Sequence, residues 1–291
     1  MTKPIYVMEK DWDNLIILDA CRYDYFEKLY HPYLNGDLTK ACSPGSSTIE
    51  WCKNSFQEKR DDVVYVSSNP FINSKVDVLN FKALDLFHAV INVWDWGWNK
   101  ELGTVHPKTV NDVVKTIKDY YADKRLIIHY LQPHEPYLCY AGSIGFPKPK
   151  PHSWAFMSVF EMFKLSGLGP LNTLLSRIFG KLSKLSAGNT RLAGVSPLWK
   201  IREFLNLPAT SPLEAVRRKV GDVGLREAYA DNLRFVLRYV AKIVKDLPGV
   251  TIVTSDHGER LGEGKRYSHP PGLFDPLLIE IPWFKVRTSG K

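Results

Sequence analysis

Three short apolar runs in this chain each end abruptly in a polar cluster. Leu15–Leu18 runs into Asp19, Leu126–Ile128 into His129, and Val250–Val253 into Thr254-Ser255-Asp256-His257. Runs this short, bounded by polar and turn residues, read as strands buried on both faces, the kind found in parallel sheets. Val63–Val66 is a fourth such run and Leu277–Ile281 a fifth candidate. Helical patterns lie between them. Lys108–Tyr121 follows Pro107 and places Val110, Val113, Val114 and Ile117 on one face. Arg226–Asp246 spaces Leu233, Val236, Leu237, Val240 and Val244 in the same way and stops before Pro248-Gly249. Strand–helix alternation predicts an α/β fold: an α/β/α sandwich around a mostly parallel sheet. In such sheets ligands bind beyond the carboxyl ends of the strands, so all three clusters are expected at one edge.

The chain has 291 residues, of which 44% are hydrophobic and 24% charged, enough for one globular α/β domain over 1–291. The N-terminal MTKPIYVMEKDWDN lacks a signal-peptide pattern, and no apolar run is long enough for a membrane span. A cytoplasmic protein is the expectation. Cys21, Cys42, Cys52 and Cys139 form no CxxC pair, which argues against a cysteine zinc site. Buried reduced thiols are expected ahead of a Cys42–Cys52 disulfide.

The net charge of +8 is concentrated, with +7 of it between Pro151 and Val220. Residues 153–220 interrupt the alternation. Here Leu171, Leu174, Leu175, Ile178, Phe179 and Leu182 share a broad face, with Arg177, Lys181 and Lys184 elsewhere. This basic helical insert reads either as a lid packed on its own sheet or as a peripheral membrane contact. Both are compatible with a lipid-linked substrate. Aliphatics interleave the basic residues and no binding motif is apparent, so no nucleic-acid partner is expected.

Each polar cluster admits a structural and a chemical reading. Asp19, in Leu18-Asp19-Ala20-Cys21-Arg22, is a hard oxygen ligand or a helix cap; Arg22 holds an anion or pairs with Asp24. The turn Ser43–Thr48 leads into a helix over Ile49–Phe56. Its hydroxyls include a candidate nucleophile, while Ser47 and Glu50 also fit a capping box. In His129-Tyr130-Leu131-Gln132-Pro133-His134, two histidines flank a proline-bearing turn and suit metal binding, oxyanion contact or proton transfer. Asp256 and His257 can reach one metal only if the backbone bends, and Gly258 supplies the turn; a glycine-rich loop then brings back His269.

Taken together, LDACRYD, the Ser/Thr turn, HYLQPHEPY and SDHGERLGEG with YSHP resemble the alkaline phosphatase superfamily. The resemblance is to its sulfatase-like branch and the phosphoethanolamine transferases there, and it spans Asp19 to His269. It implies an alkaline-phosphatase-like sandwich in which Asp19, Asp256, His257 and Thr48 hold a divalent metal, Zn or Mn first, then Mg or Ca. It makes Thr48 the nucleophile, with Ser47 and Ser46 as alternatives in a less well matched turn. Arg22, Ser47, His129, His134 and His269 are implied as substrate contacts, with His134 and His269 also serving catalysis or a weaker second metal.

One departure matters. Cys42-Ser43-Pro44-Gly45-Ser46-Ser47 lacks the Ser and Arg that formylglycine maturation needs in sulfatases. An unmodified hydroxyl favours phosphoryl transfer over sulfate-ester hydrolysis. The implied activity is hydrolysis of phosphate mono- or diesters, or related sulfate and phosphonate esters. The alternatives are transfer of a phosphoryl-linked group between lipid or glycan carriers, and a non-catalytic binding module of the same fold.

Overall fold

Every residue of Asn14-Leu15-Ile16-Ile17-Leu18 is buried, and this run forms strand β1 (Asn14–Leu18) in the middle of a seven-stranded sheet. The computed structural model describes residues 3–143, 203, 209 and 211–287. After β1 come α1 (Tyr23–Leu29), β2 (Gly36–Cys42), α2 (Thr48–Ser55), β3 (Arg60–Ser67) and β4 (Phe87–Asn92). They are followed by α3 (Pro107–Ile117), β5 (Arg125–Tyr130), α4 (Pro212–Ile243), β6 (Thr251–Thr254) and β7 (Glu280–Val286).

The strand order is β2-β7-β6-β1-β5-β3-β4. β1 pairs in parallel with β5 and β6, and β3 in parallel with β5 and β4. Only β7 runs against its neighbours, β6 and β2. The carboxyl ends of β1, β2, β3, β5 and β6 therefore open onto one edge of the sheet.

Side chains alternate between the two faces, as strand geometry requires. Ile16, Leu18, Val64, Val66 and Ile128 pack with Val110 and Val114 of α3 and Leu233, Val236, Leu237 and Val240 of α4. Leu15, Ile17, Val63, Tyr65 and Ile127 pack on the other face with Trp51 and Cys52 of α2. This is the expected α/β/α sandwich around a mostly parallel sheet. Each fully buried Leu or Val contributes about 2 kcal/mol by removal from water.

Both helices of the first layer have readable starts. His106 caps α3 by accepting from the Lys108 N–H, with Pro107 at the first helical position. Ser211 caps α4 through the Glu214 N–H at 3.1 Å, with Pro212 following. α4 thus starts well before Arg226 and carries a break at Gly221 (φ 71°).

Three further differences from the sequence reading concern strands. β2 and β4 went unread because their exposed, polar-interrupted patterns belong to half-covered edge strands. The fifth apolar run is split: Pro276–Ile279 is a helical turn, and the strand that follows is antiparallel.

The basic insert assigned to 153–220 falls outside the described residues apart from 203, 209 and 211–220. Of these, Pro212–Val220 are the first turns of α4, with Leu213 and Val216 in the core. Among the described residues, no helix is long and apolar enough to cross a membrane. All four cysteines are free thiols; Cys21, Cys42 and Cys52 are buried, and burial raises the thiol pKa of each.

Candidate metal centre

The parallel strands bring Asp19, Asp256 and His257 together, with one donor atom of each within 4.8 Å of the others. All three are buried. Asp19 follows β1. Ala20 then adopts a left-handed conformation (φ 58°), which aims its N–H at Asp256 Oδ1, 3.1 Å away. The His257 N–H donates to the same oxygen at 2.9 Å. Asp256 Oδ2 accepts from Thr48 Oγ1 at 2.7 Å. Ser255 Oγ lies 2.7 Å from the Leu18 carbonyl and accepts from the Cys21 N–H at 2.8 Å, tying β6 to the turn after β1.

Gly258 is needed here for a different reason than the one read from the sequence. It is absent from the left-handed glycines; instead, a Cβ would stand 2.1 Å from the Leu277 carbonyl oxygen. Its N–H donates to the Leu278 carbonyl at 2.7 Å. Close approach of two chain segments, rather than backbone sign, demands the glycine.

Thr48 is the first residue of α2, so its hydroxyl sits where unpaired helix N–H groups favour negative charge. His257 Nε2 is 3.3 Å from Thr48 Oγ1. Gly45 lets the preceding turn fold onto the helix, where a Cβ would meet the Trp51 backbone nitrogen at 2.3 Å. Ser47 occupies the cap position without a side-chain capping bond, so the Ser47–Glu50 capping box is not formed. Glu50 Oε2 instead accepts from the N–H and the hydroxyl of Ser46, both at 2.8 Å. Ser46 Oγ also accepts from the Leu273 N–H and Glu50 Oε2 from the Gly272 N–H, each at 3.2 Å.

The electrostatics of the first cluster suit a cation. His257 Nδ1 lies 2.8 Å from the Gly258 carbonyl, which fixes its proton there and leaves a lone pair on Nε2. That lone pair faces Asp256 Oδ2 at 3.4 Å and Asp19 Oδ1 at 3.8 Å. Burial holds His257 below its ordinary pKa, so the ring cannot relieve the crowding by taking a second proton at neutral pH. Burial opposes the charge of Asp19, yet His129, His134 and His257 together hold its carboxyl well below the usual range. Asp19 Oδ1 has no hydrogen-bond partner. A buried, ionised oxygen without a partner is costly, and a divalent cation satisfies it.

A second cluster adjoins the first. Donor atoms of His134, Glu259 and His269 also lie within 4.8 Å of one another. His269 Nδ1 is 2.9 Å from Glu259 Oε2, and its ring centroid is 4.3 Å from that of His257 and 5.1 Å from that of His134. Burial disfavours the His269 charge, but Glu259 outweighs it and pushes the pKa up to about 9. The His134 N–H donates to the Asp19 carbonyl at 3.1 Å, and its Nδ1 lies 2.8 Å from the Glu135 carbonyl.

Two residues sit differently from their implied roles. Arg22 is buried and spends its guanidinium on Asp24, on Glu263 at 2.5 Å and on the Glu259 carbonyl at 3.3 Å. These bonds give Arg22 a scaffolding place between two loops. His129 lies beneath Asp19 rather than in the open site: it is fully buried, with Nε2 3.3 Å from Asp19 Oδ2.

Other contributors carry no local sequence signal. Asn69 donates to Asp19 Oδ2 at 2.6 Å. Tyr65 OH lies 2.8 Å from His129 Nδ1. Asn232 of α4 reaches the carbonyls of Pro133, His134 and Pro136 and accepts from the Leu138 N–H, clamping the His134 loop. Glu259 lies inside a motif that was read, and its neighbours Asp256 and His257 drew the attention instead.

No family model and no curated protein matches the chain. Solved structures do. The C-terminal periplasmic domain of EcEptC from Escherichia coli, in complex with Zn, is 12% identical at a TM-score of 0.49, with 98% of this chain and 77% of that chain covered. The soluble domain of lipooligosaccharide phosphoethanolamine transferase A from Neisseria meningitidis is 12% identical at 0.48, covering 93% and 75%. Phosphonate monoester hydrolase SpPMH from Silicibacter pomeroyi is 13% identical at 0.43, covering 95% and 68%. At these identities the functional reading rests on the chain's own site.

Proposed function

We propose that the chain is a metal-dependent phosphoester hydrolase resembling the alkaline phosphatase superfamily, with Thr48 as nucleophile. The observation that carries this is the position of Thr48 Oγ1. It stands at a helix N-terminus, 2.7 Å from Asp256 Oδ2 and 3.3 Å from His257 Nε2, in the cluster that includes the unpartnered Asp19 Oδ1.

Asp19, Asp256, His257 and Thr48 would hold the ion, and a donor set of carboxylates, imidazole and hydroxyl suits Zn or Mn. A bound divalent cation lowers the pKa of a coordinated hydroxyl and offsets charge on a phosphoryl oxygen. Asp256 orients the Thr48 hydroxyl and receives its hydrogen bond. His269, cationic through Glu259, offsets charge on the phosphoryl group, and with His134 it supplies a proton to the departing oxygen. Ser47, partly exposed at the α2 cap, would contact the same group. Free helix N–H groups next to Thr48 add to the same field.

A second reading is a transferase, because His129 matches the first histidine of the transferase version of its loop. In that reading an acceptor alcohol on a lipid or glycan carrier, rather than water, resolves the intermediate, and residues 153–220 supply the carrier contact at a membrane surface.

The test is turnover of aryl phosphate mono- and diesters, phosphonates and sulfates with Zn, Mn, Mg or Ca. Wild type, Thr48→Ala and Asp256→Ala are compared. Phosphoester turnover should fall by at least about a thousandfold in Thr48→Ala. Full activity in Thr48→Ala contradicts the nucleophile assignment, and turnover of sulfates alone contradicts the phosphoryl preference.

A further inference from the structure

Tyr65 lies on β3, fully buried, with no obvious business near a metal centre. Its hydroxyl is 2.8 Å from His129 Nδ1. On the opposite side of the same ring, His129 Nε2 is 3.3 Å from Asp19 Oδ2 and makes no formed hydrogen bond. Asn69 Nδ2 reaches that same oxygen at 2.6 Å. Oδ2 is thus engaged from below, while Oδ1 is left without a partner on the side of His257.

We infer that Tyr65 is a positioning residue: through His129 it fixes which face of the Asp19 carboxylate is presented to the metal. The inference rests on the metal-centre reading above.

The chemistry runs as a chain of donors. Burial, with the carboxylates of Asp256 and Asp19 nearby, keeps Tyr65 a neutral phenol. A phenol can donate to Nδ1 or accept from it. If it accepts, the neutral ring turns a bare Nε2 lone pair toward Asp19 Oδ2, and the phenolic proton has no acceptor. If it donates, Nε2 carries the proton and faces the carboxylate as a donor. Only the second arrangement gives the phenolic proton an acceptor and turns a proton, not a lone pair, toward the carboxylate 3.3 Å away, so the tyrosine selects the Nε2–H tautomer. With Asn69 bonded to Oδ2 and the Nε2–H facing that same oxygen at 3.3 Å, the carboxylate is oriented with Oδ1 left for the ion. His129 itself falls outside the group of side chains whose donor atoms converge with those of Asp256 and His257. It therefore acts on the ligand, as outer-shell partners of metal sites do.

The experiment uses the full chain stripped of metal, with Zn2+ as the probe in calorimetric titrations. Wild type, Tyr65→Phe, His129→Gln and the double variant are compared, and the imidazole nitrogens of the metal-free wild type are read by 15N NMR. Tyr65→Phe keeps the ring in the core and should weaken Zn2+ binding by about tenfold to a hundredfold. A glutamine at 129 keeps an N–H donor that needs no tautomer selection. In the His129→Gln background, Tyr65→Phe should then change affinity less than twofold, a non-additivity that a purely packing role for Tyr65 does not produce.

The NMR spectrum should show His129 protonated at Nε2 alone. Protonation at Nδ1 overturns the inference, as does unchanged Zn2+ affinity in Tyr65→Phe or additive losses in the double variant. Wild type that takes up no Zn2+ overturns the metal-centre reading instead. The tautomer, measured without metal, separates the two failures and stands even if a variant fails to fold.

Discussion

Asp256 is the pivot of the site at the scale of single residues. One oxygen takes two backbone N–H groups, from Ala20 and His257, and the other takes the Thr48 hydroxyl. Its position depends on Gly258, whose missing Cβ leaves room for the Leu277 carbonyl. Gly258→Ala should cost about 1–3 kcal/mol of stability, as overpacking typically does, and should weaken metal binding by displacing His257. Thermal melts and metal titration of the variant check both; a variant matching wild type in each contradicts the close-approach argument. Asp19, Asp256 and His257 were legible in the sequence because each lies within three residues of the end of an apolar strand. Tyr65, Asn69 and Asn232 were not. They meet the site through contacts across the fold, 50 residues apart for Asn69 and Asp19, and nothing in their immediate neighbours marks them. The role of Gly258 was half legible: the position was right, but its reason depends on Leu277, which no local pattern reveals.

The helical turn Pro276–Ile279 connects stability to the site at the scale of elements. Asp275 caps it by accepting from the Leu277 N–H at 2.9 Å and pairs with Arg260 at 2.6 Å. The Leu278 carbonyl of that turn in turn accepts from the Gly258 N–H. Burial raises the Asp275 pKa, but the Leu277 N–H and Arg260 outweigh it and hold the carboxyl below its usual range. A depressed carboxylate pKa stabilises the fold above the unfolded value of about 3.9, and that contribution fades as pH falls through the native value. Asp275→Asn should therefore lower the melting temperature at pH 7, and its deficit against wild type should shrink below about pH 4. A deficit that is independent of pH contradicts the ion-pair and capping account. The turn itself was misread as part of a strand, because an apolar run of that length fits either state until its partner is known. The long helix α4 was legible only from Arg226 onward. Gly221 breaks its periodicity, and the Ser211-Pro212 start lies in a stretch whose charge grouped it with the insert.

The sheet makes one site out of distant segments at the scale of the whole molecule. β1, β2, β3, β5 and β6 end on one edge, where they deliver Asp19, the Thr48 turn, Asn69, the His134 loop and Asp256-His257. Short apolar runs that end in polar clusters made that edge predictable, while the edge strands β2 and β4, exposed and interrupted by polar residues, offered no such run. On the proposed function, this edge supplies a nucleophile at Thr48. The decisive measurement is acid-quenched mass spectrometry of the protein during incubation with an aryl phosphodiester and metal. A phosphoryl-type adduct should map to the peptide containing Thr48 in wild type and be missing from Thr48→Ala and Asp256→Ala. Turnover with the adduct on Ser46 or Ser47, or with a Thr48→Ala variant that still accumulates one, contradicts it.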